Sequence, residues 1–226
     1  MSQFQVIPHE YDRIVHLHFE TQYHLTSSFV RMQEFYESPF PEIRGKYFTL
    51  TEFMDRYVED SENNEFTYFT DWAGFNIPGN VFTNFFNRFY DEGLSPKESA
   101  IWSTVDRYIA EGDLEYYIIG TYGTEAGLVD HELAHAYYYL NPVYRKFCDE
   151  IYADMDDKIK VKVTSGLLEM GYTEDVIADE TQAYFATDRE DKLRERFGLK
   201  RDKLAPIRDR YVKNLQTVRT WKKSPF

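Results

Sequence analysis

An α+β fold, mainly helical, is the class this sequence predicts, and three observations lead to it. Strand-like runs are few and short: R-I-V-H-L-H-F (13–19) alternates apolar and polar residues, and L-E-Y-Y-I-I-G-T-Y (114–122) is rich in β-branched and aromatic residues. Beyond Pro142 the apolar residues recur at helical spacing almost throughout. The 226 residues, 42% hydrophobic and 18% aromatic, suffice for a sizeable buried core. Together these predict one compact domain of two lobes: residues 1–141, with a small sheet and the helix that carries H-E-L-A-H, and residues 142–226, helical and ending in a basic helix.

Taken in order, the strand at 13–19 is followed by helical spacing over S-S-F-V-R-M-Q-E-F-Y (27–36), which S-P-F-P (38–41) breaks. Thr49 with Glu52 forms a capping box ahead of a helix to about Val58. A polar loop (59–65) separates it from F-T-Y-F-T (66–70), which is expected as a strand. Residues 80–90 are helical, and Phe82, Phe85, Phe86 and Phe89 recur at three and four, the mark of a core-facing stripe. Ser95, Pro96 and Glu98 combine an N-cap, proline at N1 and glutamate at N3, so a helix runs from there to about Ala110. Gly120, Gly123 and Gly127 fit neither a dinucleotide-binding nor a phosphate-loop pattern, and Glu125, Asp130 and Glu132 beside them repel phosphate; these glycines are expected to turn the backbone. A helix then ends near Leu140 at Pro142, and further helices are expected over 143–157, 158–170, 174–187 and 205–220.

Composition excludes several classes. No stretch approaches about 18 uncharged apolar residues, and M-S-Q-F-Q-V-I-P-H-E-Y-D has neither a basic start nor an apolar run, so a soluble, cytoplasmic protein with no membrane partner is expected. Cys148 is the single cysteine, which leaves no intramolecular disulfide and no Cys-rich zinc finger; with no histidine after it, it is expected as a packing residue. The net charge of −13 argues against nucleic acid as the main partner. From Lys192 onward there are twelve Lys/Arg and three Asp/Glu, a net of +9, and this basic segment is expected to dock on an acidic body.

The chemistry concentrates in D-H-E-L-A-H-A-Y-Y-Y-L-N-P (130–142). Residues four apart on a helix share a face about 6 Å apart along the axis, so the imidazoles of His131 and His135 can converge on one ion. Glu132 is rotated about 100° from His131, which spares it from ligation yet lets it reach a water bound to that ion. A zinc ion lowers the pKa of such a water towards about 7, and a carboxylate can then take its proton. Uncharged Leu128, Val129, Leu133, Ala134 and Ala136 surround the motif, as a buried metal helix needs. His16 and His18 also share a strand face and could chelate a metal, although a structural role is the expectation.

No histidine follows His135, so a third ligand downstream has to be a carboxylate. Glu180 stands out because its helical neighbours Val176, Ile177, Ala183 and Tyr184 form an apolar face, where a carboxylate is costly without a compensating partner. Glu150, Asp154 and Glu169 remain alternatives, while Asp175 and Glu190 lie nearer helix ends. Tyr138 and Asn141 occupy the positions where metzincins carry glycine and a third histidine, which excludes that class.

With His131, Glu132, His135 and a downstream helical Glu180, the segment 114–187 resembles the gluzincin group of zinc metallopeptidases, in which H-E-x-x-H lies on one helix and a glutamate on a following helix completes the site. The resemblance implies a zincin-like fold, one Zn2+ held by His131, His135 and Glu180 with a water as fourth ligand, and Glu132 as general base. It also implies a substrate cleft with the strand 114–122 at its rim, a peptide or protein substrate, and a tyrosine or histidine donor for the oxyanion; Tyr184 and Tyr122 are the candidates among 19 tyrosines. The sequence differs from thermolysin-like members in carrying Asp179 where they have asparagine, and Tyr184 where they have an aspartate that orients a ligating histidine. No G-x-M-E-N precedes the motif, so the aminopeptidase branch is not indicated. The expected function is therefore zinc-dependent peptide hydrolysis; the alternative is a non-catalytic metal-binding scaffold or regulatory interaction protein. Cobalt or manganese would suit the same ligands, and the sequence leaves oligomeric state and specificity open.

Overall fold

In a computed structural model, which describes residues 4–9, 11, 13–109, 115–123 and 126–220, the mainly helical α+β expectation holds. The chain divides into two compact units, 1–125 and 126–226. The boundary expected after residue 141 falls earlier, because the helix carrying the histidine motif packs on helices that follow it in sequence.

The N-terminal unit holds a four-stranded sheet. Strand β1 (Phe4–Ile7) runs antiparallel to β2 (Ile14–Phe19), which pairs in parallel with β4 (Tyr117–Tyr122), and β3 (Gly74–Pro78) lies antiparallel on β4's other side. Alternation sends Val15, Leu17 and Phe19 of β2, Ile118 of β4 and Phe75 and Ile77 of β3 into one core. The opposite face of β2 carries His16 and His18. Thr121 Oγ1 lies 2.7 Å from His16 Nε2 and 3.1 Å from His18 Nδ1, and His9 Nε2 lies 2.9 Å from His16 Nδ1. Burial, with His9 and His18 alongside, pushes the His16 imidazole down to about 3.

Helix α1 (Gln22–Glu37) covers the core face of the sheet. It approaches closely at Gly120, where a Cβ would come within 2.8 Å of Leu25 and Phe29. Gly120 therefore serves packing inside β4; of the three glycines expected to turn the chain, Gly123 does so, with φ of 71°. Helix α2 (Leu50–Asp60) starts at the Thr49/Glu52 capping box. Residues 66–70 are not a strand: Tyr68–Asp71 forms the short helix α3. The Asp71 carboxylate accepts from Thr67 Oγ1 and Tyr57 OH, both at 2.7 Å, and Phe66, Tyr68 and Phe69 meet one aromatic cluster, which strand alternation would forbid.

Helix α4 (Gly79–Phe89) buries Phe82, Phe85, Phe86 and Phe89 as expected. Helix α5 (Pro96–Val105) begins at its capping box but ends before the expected Ala110. There Arg107 and Tyr108 bond back three residues to Thr104 and Val105 in tighter turns; Ala110 itself lies outside the described residues.

The C-terminal unit is helical among its described residues: α6 (Ala126–Leu140), α7 (Pro142–Ala153), α8 (Asp157–Glu169), a 3-10 turn (Glu174–Val176), α9 (Ile177–Thr187), α10 (Glu190–Phe197) and α11 (Arg201–Thr220). Asn141 ends α6 and caps α7, its side chain accepting from the amides of Val143 and Tyr144. Helix α9 is the hub, packed against α6, α7, α8 and α11, and it buries residues on all sides. Helix α10 was not expected; Gly198, with φ of 59°, caps it and separates it from α11. Helix α11 starts before Pro206, which stands in its second turn, where the missing N–H concerns the exposed Asp202. The basic helix docks on acidic partners, Arg210 on Asp154 at 2.9 Å and Arg219 on Asp130 at 2.8 Å. Cys148 is buried and its thiol is pushed up to about 12 by that burial. Among the described residues, no helix is long and apolar enough to cross a membrane.

Candidate metal centre

The motif helix is buried from Glu132 through Tyr137, so its two polar side chains enter the interior of the C-terminal unit with their backbone bonds already made. One helical turn brings His131 Nε2 to 3.2 Å from His135 Nε2. From α9, Glu180 places Oε1 3.6 Å from His135 Nε2 and Oε2 3.8 Å from His131 Nε2. Two ligand atoms about 2.1 Å from a tetrahedral ion lie about 3.4 Å apart, and the two imidazoles approach that spacing to each other and to one or other Glu180 oxygen. His131, His135 and Glu180 could thus hold a metal ion, all three ligand atoms lying within 4.8 Å of one another.

The surroundings are anionic. Burial pulls the His135 imidazole down, but the carboxylates of Asp179, Glu180 and Glu132 outweigh it and bring it up to about 10. Burial, the neighbouring His135 charge and Arg196 hold His131 well below its ordinary value. The pair therefore carries one positive charge, facing three carboxylates, and a divalent cation answers the same imbalance. Glu132 is 4% exposed and acts electrostatically on both His135 and Tyr172.

Tyr184 belongs to the same cluster. Its ring lies 4.6 Å from that of His131, the Arg196 guanidinium stands 4.0 Å over it, and its hydroxyl is 2.9 Å from that of Tyr172. Burial and then the Glu180 carboxylate push Tyr184 up to about 12, and burial and Glu180 raise Tyr172 as well, so both hydroxyls keep their protons at neutral pH and can donate. Tyr122, the other tyrosine candidate, ends β4 in the N-terminal unit.

The downstream alternatives lie on the surface: Glu150 is 3.9 Å from Lys146, Asp154 pairs with Arg210, and Glu169 is exposed at the end of α8. Sequence reasoning missed Asp179, whose Oδ1 lies 2.9 Å from His135 Nδ1. A carboxylate in contact with His135 thus stands one residue before Glu180, at the position where thermolysin-like sequences carry asparagine. Tyr172 was missed as well; it follows Gly171 in a loop and has no local pattern to reveal it. The chain matches no protein-family model, no curated protein and no solved structure.

Proposed function

We propose that this chain is a zinc-dependent metallopeptidase, gluzincin-like in its ligand set and zincin-like in layout, which hydrolyses bonds of a peptide or protein substrate. The observation that carries the reading is the convergence of His131, His135 and Glu180 beside a second buried carboxylate, Glu132, that is not among the ligands. A purely structural metal site has no need of that group.

Zinc, when bound, supplies a water of lowered pKa and polarises the scissile carbonyl. The protein's own contribution is in proton handling and orientation. Glu132 takes a proton from the attacking water on its carboxylate and returns it to the leaving nitrogen. Asp179 accepts from His135 Nδ1 and so keeps the ring aligned. Tyr184, held by Arg196 and paired with Tyr172, supplies a hydroxyl donor for the developing oxyanion.

The test is hydrolysis of an internally quenched peptide library by zinc-reconstituted wild type and Glu132→Gln. The variant is expected to keep its zinc and lose about a thousandfold or more of kcat. Zinc-loaded wild type that cleaves nothing, or a Glu132→Gln protein that cleaves as well, would contradict the reading; the first result would leave a metal-binding scaffold in its place.

A further inference from the structure

We propose that a buried hydrogen-bonded chain, Tyr144–Gln182–Asp179, fixes the orientation and tautomer of His135, which makes Gln182 and Tyr144 positioning residues of the metal centre. The inference rests on reading His131, His135 and Glu180 as metal ligands. Its links come from two helices. Tyr144 on α7 donates its hydroxyl to Gln182 Oε1 at 2.7 Å, and Gln182 Nε2 donates to Asp179 Oδ1 at 2.9 Å. The same Asp179 oxygen lies 2.9 Å from His135 Nδ1.

The chain has one direction. An ionised carboxylate only accepts, so the two nitrogens at Asp179 Oδ1 both carry hydrogens. That requirement sets the Gln182 amide, its nitrogen towards Asp179 and its oxygen towards the only hydrogen on the Tyr144 hydroxyl. It also puts a proton on His135 Nδ1 and leaves Nε2 as the nitrogen that can ligate. Nε2 is the atom 3.2 Å from His131 Nε2 and 3.6 Å from Glu180 Oε1. The tautomer demanded by the hydrogen bonds is therefore the one demanded by the metal site.

A purely architectural role does not account for Gln182. Its side chain is fully buried at the centre of the unit, where an aliphatic residue of similar size would pack without an amide to satisfy. Helix α9 presents Asp179, Glu180 and Gln182 within one turn, so the element that delivers the third ligand also delivers the support of the second. The outer end is held in turn. Asn214 on α11 donates to the Tyr144 carbonyl at 3.4 Å and lies 3.3 Å from Cys148 Sγ.

The experiment compares full-length wild type with Asp179→Asn, Gln182→Leu and Tyr144→Phe. Each is measured for zinc affinity by chelator competition and for the visible absorption bands of its cobalt-substituted form. Asp179→Asn is expected to weaken zinc binding by about 10- to 100-fold, Gln182→Leu by about tenfold and Tyr144→Phe by about threefold, each with shifted cobalt bands. If Gln182→Leu does not fold, Tyr144→Phe removes a single oxygen and carries the test alone. Zinc affinities and cobalt spectra equal to wild type in folded Gln182→Leu and Tyr144→Phe would overturn the inference. A wild type that takes up neither metal would overturn the metal centre itself, a result distinct from the first.

Discussion

The N-terminal and C-terminal units both bury charged side chains, and they treat them differently. In the first, Arg31 makes two bonds to Glu98, at 2.8 and 2.5 Å, and the same Glu98 accepts from the Ser95 amide at 2.7 Å as part of a capping box. Cation meets anion one to one, and the remaining acceptor capacity is used by the backbone. In the second, Glu132, Asp179 and Glu180 surround two imidazoles that share one positive charge. Matched pairing makes architecture, whereas a surplus of one sign around converging ligand atoms makes a place for a cation.

Breaking the matched pair should cost the most. Arg31→Met leaves Glu98 buried without its cation, and urea unfolding is expected to show a loss of about 3–5 kcal/mol. A loss below about 1 kcal/mol would mean that the pair is not closed in the way described.

A smaller effect concerns Glu34, the lone buried carboxyl of helix α1. Burial raises it from 4.5 to about 7, and the nearby Ser38 and Tyr68 only partly oppose the rise. The folded protein then keeps a proton that the unfolded chain releases above its own pKa. Stability therefore falls as pH rises from about 4.5 to 7 and is flat beyond. The loss amounts to about 3 kcal/mol. Glu34→Gln should remove it: wild type should lose about that much relative to the variant between pH 4.5 and 7.5. Unfolding can be followed by tryptophan fluorescence, since Trp72 and Trp102 lie in this unit. Parallel pH profiles for the two proteins would contradict the assignment.

What could be read from the sequence follows from the range of the interactions. Capping boxes at Thr49 and Ser95 act over three residues, and both stand where expected. His131 and His135 are linked by one helical turn, and Glu180 is marked by apolar neighbours of which Ile177 and Ala183 are indeed buried. Longer-range pairing left weaker traces. Strand β3 was not foreseen because Gly74–Pro78 is short and is defined by its ladder to β4. Aromatic density made 66–70 look extended, while the Asp71 carboxylate folds it into a turn. Asp179 and Tyr172 owe their places to the way α9 and the loop before it meet α6, which no local pattern encodes.

Zinc content per chain, by mass spectrometry on wild type and Glu180→Ala side by side, tests the proposed three-ligand centre most directly. About one zinc per wild-type chain and a marked loss in Glu180→Ala is the predicted result. Equal zinc in both proteins would remove Glu180 from the site, and none in either after reconstitution would contradict the metal centre.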